Sequence, residues 1–153
     1  MKRTIYKSNM DNVVIYTDGA YSAMRDQGGV GIVILNGSEK VQEYSNMYKR
    51  TTNNQMELGA VIIALRLIKE PCKSILIYTD SQYVIGCATL GWKRKKNVKL
   101  WLEYDKQIQR VSELCPDIKF SHVKGHQSGK DLTEDAKWNN YVDKLAVSAS
   151  MLI

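Results

Sequence analysis

The sequence predicts an α/β protein in which helices pack against a mixed β-sheet of five strands. Three short runs rich in β-branched and aromatic residues come first, joined by turn signals, and after residue 51 apolar helices alternate with strands. The tetrapeptide Ile-Tyr-Thr-Asp occurs twice, at 15–18 and 77–80, each time where a strand is predicted to end. A meander followed by strand–helix alternation gives a sheet with both antiparallel and parallel pairs.

Three strands form the predicted meander. Residues 13–18 are the first strand, which a Gly-rich turn connects to a second strand ending at Leu35. Residues 36–37, Asn-Gly, are a two-residue hairpin signal, and residues 39–49 are the third strand. The chain start is polar and aperiodic, so we expect a loose arm at 1–11.

The second half of the chain predicts helices and strands in alternation. Thr52 or Asn53 can cap an Ala/Leu/Ile-rich helix that runs to Lys69 and stops before Pro71. The apolar run that follows is typical of a strand buried on both faces. The remaining predicted elements are this strand at 74–80, a short helix just after Asp80, a helix at 99–114, a strand at 117–123 and a helix from about 132 to 150.

Composition limits the classes of protein to consider. The chain has 153 residues, 44% hydrophobic and 25% charged, which fits one globular domain over 1–153 and excludes a disordered tail or a disulfide scaffold. No run approaches the roughly 18 apolar residues of a membrane span, and the N-terminus lacks the apolar core of a signal peptide. We therefore expect a monomeric cytoplasmic protein with no membrane partner.

The cysteines and the net charge carry little functional information. Cys72, Cys87 and Cys115 include no Cys-x-x-Cys pair, so we expect reduced thiols that fill space. A zinc site is disfavoured because the two histidines, His122 and His126, have no cysteine pair near them. With 22 Lys and Arg against 16 Asp and Glu, the net charge of +6 is compatible with plain solubility.

Glu57 lies on a predicted helix that is apolar on nearly every side. Its neighbours on the same face are Val61, Ala64, Leu65 and Ile68. A buried carboxylate is costly unless a cation meets it. The alternative is an ordinary acidic residue near a helix N-terminus.

Asp18 and Asp80 end the two copies of the repeated tetrapeptide. A single aspartate after a strand is often only the N-cap of the next element. If the two strands are neighbours, however, the carboxylates lie about 5 Å apart. One of such a pair stays protonated unless a metal neutralises the two charges.

The last predicted helix adds Asn139 and Asp143, which are four residues apart and so lie on one face. The alternative is a solvated helix surface. Carboxylates without clusters of cysteine and histidine suit Mg²⁺ or Mn²⁺, and two such ions can hold both oxygens of a phosphoryl displacement. The sequence contains neither a P-loop motif nor a Gly-x-Ser-x-Gly motif.

The two histidines differ in their surroundings. His126 lies between Gly125 and Gly129, on a loop where a histidine can move protons or can be an ordinary surface residue. His122 alternates with Phe120 in a strand, and we expect it to be structural.

Five segments resemble, in the same order, those of type 1 ribonuclease H. They are YTDGA at 16–20, RTTNNQMELGA at 50–60, YTDSQYV at 78–84, KGHQ at 124–127 and NNYVDKLA at 139–146. The resemblance covers nearly the whole chain from Val13 to Ser150. It implies a sheet of strand order 3-2-1-4-5 with helices on both faces. It also implies hydrolysis of the RNA strand of RNA–DNA hybrid duplexes, leaving 5′-phosphate and 3′-hydroxyl ends.

The resemblance also implies roles for individual residues. His126 would assist turnover and product release, and Asn139 would lie near the attacking water. Two Mg²⁺ ions, with Mn²⁺ as a possible substitute, would be held by four carboxylates: Asp18, which bridges the ions, Glu57, Asp80 and Asp143. The minor groove of the hybrid would be read by Asn53, Asn54 and Gln82, and a DNA-strand phosphate would be held by Arg50, Thr52 and Asn97.

The sequence departs from the family pattern at two places. Met24 stands where many cellular members have an asparagine that touches the substrate. Those members also carry an extra helix and a long basic loop, of which only GWKRKKNV at 91–98 remains here. This short turn is expected to contact the hybrid through Lys93, Arg94, Lys95 and Lys96.

Two other classes of function stay open. A hybrid-binding module without activity is disfavoured because four carboxylates would repel each other with no metal to bind. A DNA-directed nuclease or recombinase of the same fold is disfavoured because the block TTNNQMEL at 51–58 supplies amide side chains suited to reading ribose.

Overall fold

A computed structural model of the chain describes residues 10–124, 128–129 and 132–153. Its elements follow the predicted order. The strands are β1 (Met10–Ser22), β2 (Gln27–Asn36), β3 (Glu39–Lys49), β4 (Cys72–Thr79) and β5 (Ile118–His122); the helices are α1 (Asn53–Leu67), α2 (Gln82–Thr89), α3 (Val98–Leu114) and α4 (Glu134–Ser150). Within these ranges, no helix combines the length and the apolar character needed to cross a membrane.

Strand β1 lies at the centre of the sheet. The strand order is β3-β2-β1-β4-β5, with antiparallel pairs β1–β2 and β2–β3 and parallel pairs β1–β4 and β4–β5. Ile15 lies opposite Ile77 and Tyr16 opposite Tyr78, so the two copies of the tetrapeptide are in register. The predicted five-stranded mixed sheet and its order are confirmed, and Asp18 and Asp80 each lie two residues beyond the last β1–β4 pair, Tyr16 with Tyr78.

The two faces of the sheet pack against different helices. Ile15 and Ile32 belong to the larger core, which includes residues of α1 and α3. Tyr16 and Val33 belong to a second cluster with Val142 of α4. This alternation follows the two-residue period of a strand, and it puts helices on both faces, as predicted.

Helix α1 lies between the sheet and α3. Eight of its 15 residues are buried, which explains why the sequence is apolar on nearly every side of this helix. Thr52 is the N-cap, and its hydroxyl accepts a hydrogen bond from the Gln55 backbone N–H at 3.1 Å. At the other end, the Arg110 guanidinium donates to the carbonyls of Leu65 and Ile68, so the helix ends at Leu67 instead of Lys69.

Other boundaries also differ from the sequence prediction. The first strand does not end at Asp18 but continues to Ser22, because residues 18–22 pair with residues 27–31 of β2. β1 begins at Met10 instead of 13, because Met10 pairs with Cys72 and its N–H donates to the carbonyl of Pro71 at 3.2 Å. The expected loose arm is therefore wrong for residues 10 and 11, and residues 1–9 lie outside the described part of the chain. Helix α4 begins at Glu134, with Thr133 as its N-cap.

The prediction of reduced thiols is wrong for two of the cysteines. Cys72 and Cys115 form a disulfide across 43 positions of sequence, joining the start of β4 to the residue after α3. Cys87 is buried and free. Two cysteines this far apart meet only because α3 returns the chain to the start of β4, which spacing alone does not reveal.

Candidate active site

Gly19 brings α1 into direct backbone contact with β1. A Cβ at this position would lie 2.4 Å from both the Glu57 nitrogen and the Met56 carbonyl carbon, so the approach requires glycine. The Gly19 N–H donates to Glu57 Oε1 at 3.0 Å and contacts Asp18 Oδ1 at 2.9 Å. The close approach therefore sets Glu57 beside Asp18. In the sequence this glycine looks like a turn residue.

Three carboxylates meet just beyond the point where the pairing of β1 with β4 ends, at Tyr16 and Tyr78. Asp18, Glu57 and Asp80 each offer a carboxylate oxygen, and these three oxygens lie within 4.8 Å of one another. Asp18 and Glu57 are buried, while Asp80 is partly exposed. The arrangement suits a hard cation, which prefers several oxygen ligands and neutralises their charge.

The protein environment raises the pKa of two of these carboxyl groups, Asp18 and Glu57. Burial is the largest cause that raises the pKa of Asp18, and the charges of Glu57 and Asp80 raise it further. Burial also raises the pKa of Glu57, reinforced by Asp80, although hydrogen bonds from Asp18 and the Gly19 N–H oppose the shift. Without a cation the cluster therefore resists full ionisation.

Helix α4 adds a fourth carboxyl group. Asp143 hydrogen-bonds to the Asp18 carboxyl and raises its pKa. Gly31 lies opposite Asp18 in the β1–β2 pair, and a Cβ there would lie 2.4 Å from the carbonyl oxygen of Val142. As at Gly19, a missing side chain lets a helix approach the sheet, and here it carries Asp143 to the cluster.

Asn139 lies one turn before Asp143 and is 1% exposed. Neither its side-chain nitrogen nor its side-chain oxygen has a hydrogen-bond partner within the described part of the protein. A buried amide without partners costs free energy unless water or a ligand satisfies it. Its position beside Asp143 makes that partner part of the same site.

Of the two histidines, only His122 lies within the part of the chain that the structure describes. His126 lies outside the described residues, so its predicted role stays a prediction. His122 is exposed at the end of β5, and its Nε2 lies 3.2 Å from the backbone carbonyl oxygen of Asp80. The ring thus contacts the strand end that carries a site carboxylate.

The residues predicted to read the minor groove border the carboxylate cluster. Asn53 and Asn54 form the first turn of α1, four and three residues before Glu57, and both are exposed. Gln82 is the first residue of α2, two positions after Asp80, and is also exposed. Exposed amide groups therefore flank the carboxylates on two elements.

The predicted phosphate pocket lies at the starts of α1 and α3. Arg50 is exposed and has φ 54, and Asn97, which precedes α3, has φ 58; both are left-handed conformations. Exposed Thr52 lies between Arg50 and the first turn of α1. Asn97 is linked to α1 by a hydrogen bond from Gln55 Nε2 at 3.1 Å.

The four cations of the basic turn are not equivalent. The Arg94 guanidinium forms two hydrogen bonds to Asp105, at 2.9 and 3.0 Å, and lies 4.4 Å from the ring centre of Trp101. Lys93, Lys95 and Lys96 are exposed. Arg94 thus has intramolecular partners that the sequence pattern did not indicate, because Trp101 and Asp105 lie on the following helix.

A separate pocket of about 580 Å³ lies between α1, β3 and α3. Its lining includes Tyr44, Ile62 and Leu100, and it borders Arg50, but it contains none of the site carboxylates Asp18, Glu57 and Asp80.

Met24, which stands where many family members have an asparagine, is 96% exposed in the turn after β1.

The chain is similar to known proteins along almost its whole length. A family model described as "RNase H" matches residues 10–151. The ribonuclease H of Desulforamulus reducens is 35% identical over 156 residues, covering 96% of this chain and 92% of the relative. That of Trichodesmium erythraeum is 39% identical over 147 residues, covering 90% and 88%. Among solved structures, LC11-RNase H1 in complex with RNA/DNA hybrid has a TM-score of 0.68 at 23% identity, covering 90% of this chain and 95% of that one; this likeness concerns the fold.

Proposed function

Since the chain belongs to the ribonuclease H family, we propose that it is a metal-dependent endoribonuclease that hydrolyses the RNA strand of RNA–DNA hybrids. The products carry 5′-phosphate and 3′-hydroxyl ends. The observation that carries this proposal is the cluster of Asp18, Glu57 and Asp80, whose oxygens lie within 4.8 Å of one another.

The residues present fit a pair of Mg²⁺ ions. Asp18, Glu57, Asp80 and Asp143 are hard oxygen ligands, and their mutual repulsion disappears when a cation neutralises them. Asp18 contacts Glu57 and Asp143 and is therefore the residue suited to bridging both ions. Mn²⁺, which also prefers oxygen ligands, is a possible substitute.

When bound, the metal ions supply an activated water and stabilise the leaving 3′-oxygen. The chain's own groups orient the reaction. The Gly19 N–H holds the Glu57 carboxylate, and the unpartnered amide of Asn139 is available to orient the attacking water. His126 transfers a proton during the reaction and helps the product to leave.

Recognition of the hybrid is assigned to the exposed amides beside the cluster. Asn53, Asn54 and Gln82 can donate and accept hydrogen bonds at base edges and 2′-hydroxyls in the minor groove. The starts of α1 and α3, with Arg50, Thr52 and Asn97, hold a phosphate of the DNA strand. Phosphate contacts fix the register of the duplex and place the RNA strand at the carboxylates.

The test is cleavage of labelled RNA–DNA, RNA–RNA and DNA–DNA duplexes in Mg²⁺, in Mn²⁺ and in EDTA, with Asp80→Asn as the control. We expect cleavage of the RNA strand in the hybrid alone, its loss in EDTA and in the control, and product 3′-ends that a polymerase can extend. A hybrid-binding module without activity would retain the hybrid uncut in Mg²⁺. Cleavage of DNA–DNA would instead indicate a DNA-directed nuclease of the same fold.

A further inference from the structure

A continuous set of hydrogen bonds connects α1, α2 and α3 around Asn97. Thr51 Oγ1 lies 3.0 Å from Gln55 Oε1, and Gln55 Nε2 lies 3.1 Å from Asn97 Oδ1. Asn97 Nδ2 lies 3.0 Å from the Tyr83 hydroxyl, which also accepts from Trp101 Nε1 at 2.9 Å. We call these five residues the Asn97 network.

The Asn97 side chain is hydrogen-bonded to α1 and α2 rather than to the helix that it precedes. The φ of Asn97, 58, is in the left-handed region, which asparagine adopts more readily than most residues with a side chain. Asparagine at a helix N-cap usually bonds to the first turn, but this side chain makes no such bond to α3. Both ends of its amide group are instead hydrogen-bonded to Gln55 and Tyr83.

The three elements that the network joins are those that carry the proposed substrate contacts. Gln55 follows Asn53 and Asn54 in the first turn of α1, and Tyr83 follows Gln82 in α2. A shift of any one element would therefore break a hydrogen bond at Asn97. The network fixes the spacing between the groove-reading amides and the phosphate pocket.

We propose that Gln55 and Tyr83 are positioning residues, which hold the Asn97 side chain in the orientation that binds a phosphate of the DNA strand. The inference rests on the proposed function. A side chain that is already ordered loses less conformational freedom on binding, so affinity for the duplex increases. The gain is made equally in the ground and transition states, so it lowers KM and leaves kcat nearly unchanged.

The decisive variant is Gln55→Met, which keeps the length of the side chain but cannot form hydrogen bonds to Asn97. We expect KM for a short hybrid to increase about three- to tenfold, with kcat within about twofold and a similar melting temperature. Gln107→Met is the matched control, because Gln107 bonds to Glu103 and Arg110 on α3 and not to Asn97.

Tyr83→Phe provides the second measurement, with Tyr104→Phe as its control. Both tyrosines lie beside Trp101, but the Tyr104 hydroxyl makes no hydrogen bond to the residues that the structure describes. Tyr83→Phe is expected to increase KM as Gln55→Met does, and Tyr104→Phe is expected to leave KM unchanged.

The background Asn97→Ala separates positioning from general stability. A residue that acts through Asn97 has nothing to position once that side chain is absent, so Gln55→Met should then add less than about a twofold increase in KM. An equal increase in both backgrounds, or none in either, would overturn the positioning role.

Failure of the proposed function would look different. A parent protein that leaves hybrids uncut but binds them would contradict the nuclease proposal. The effect of Gln55→Met, in the parent and in Asn97→Ala, would then be measured as the change in Kd for a fluorescently labelled hybrid. A parent that neither cuts nor binds hybrids overturns both proposals.

Discussion

The backbone N–H of Gly19 donates to the Glu57 carboxylate at 3.0 Å, and the same residue has no room for a side chain. Two functions thus meet at one position of β1. The absence of a Cβ lets α1 touch the strand, and the N–H fixes the carboxylate that α1 carries. The geometry of the site therefore depends on a residue that offers no side-chain chemistry.

The first prediction concerns that contact. In Gly19→Ala the new Cβ would meet backbone atoms of Met56 and Glu57, which cannot move aside as a flexible side chain could. We expect a loss of about 1–3 kcal/mol in the free energy of unfolding and at least a tenfold loss of kcat, measured by denaturant titration and hybrid cleavage.

Gly59→Ala is the control on the same helix. A Cβ at Gly59 would meet no atom within 4 Å, and alanine is more favourable than glycine inside a helix by about 1 kcal/mol. We expect this variant to be at least as stable as the parent and equally active. Normal activity of Gly19→Ala would show that Glu57 needs no such positioning.

The second prediction concerns the carboxylates themselves. Glu57→Gln keeps the shape of the side chain and removes its charge, so cleavage of the hybrid should fall at least about 10²-fold, the usual cost of losing a key electrostatic stabiliser. The fold should be retained, as judged by circular dichroism. Near-normal kcat in this variant would remove Glu57 from the proposed metal site.

The sequence indicates the carboxylate set better than it indicates what brings the set together. Asp18 and Asp80 could be paired from a repeated tetrapeptide, and the register of β1 and β4 then places both two residues beyond the last pair of these strands. Gly19 and Gly31 could not be singled out, because their importance depends on the distance between a strand and a helix backbone. Such distances follow from tertiary packing and leave no local pattern.

The same reason explains the other differences. Five of the seven residues at 93–99 are cationic, but the sequence does not distinguish Arg94, which lies over Trp101 and pairs with Asp105, from the exposed lysines. Cys72 and Cys115 likewise meet through tertiary structure alone. Element order, by contrast, follows from periodicity and turn residues, which are local.

The third prediction concerns pH and metal. Because the folded protein raises the pKa of Asp18, the folded state binds more protons than the unfolded state above the ordinary aspartate range. The stability of the metal-free protein should therefore fall as pH rises from about 5 to about 8. Thermal melts in EDTA should show a smaller fall for Asp18→Asn.

Added Mg²⁺ should counter this loss, since it binds only the folded state. The gain in melting temperature should be larger near pH 8 than near pH 5, and larger for the parent than for Asp18→Asn. Identical EDTA melts and identical Mg²⁺ responses for the two proteins would contradict the clustered site.

The fourth prediction concerns the disulfide. A bond that closes a loop of 43 residues restricts the unfolded chain and can contribute up to about 4 kcal/mol. We expect dithiothreitol to lower the melting temperature by several degrees. Cys87→Ala should keep this sensitivity to reductant, and Cys115→Ala should lose it. A parent that melts equally with and without reductant would show that the bond contributes nothing to stability.

The last prediction concerns the exposed lysines of the basic turn. Lysines that contact phosphates release counterions on binding, and each contact adds about 0.7–0.9 to the slope of log affinity against log salt. Changing Lys93, Lys95 and Lys96 to Ala, with Arg94 retained, should raise KM and lower this slope by about two. The value of kcat should change little, because the contacts are equal in the ground and transition states.

The control is the double variant Lys73→Ala with Lys119→Ala. It removes charge at the starts of β4 and β5, the ends remote from Asp80, and should leave the slope unchanged. Equal slopes for all three proteins would mean that the basic turn is only a solvated surface, and that the duplex is held by the amides and the phosphate pocket alone.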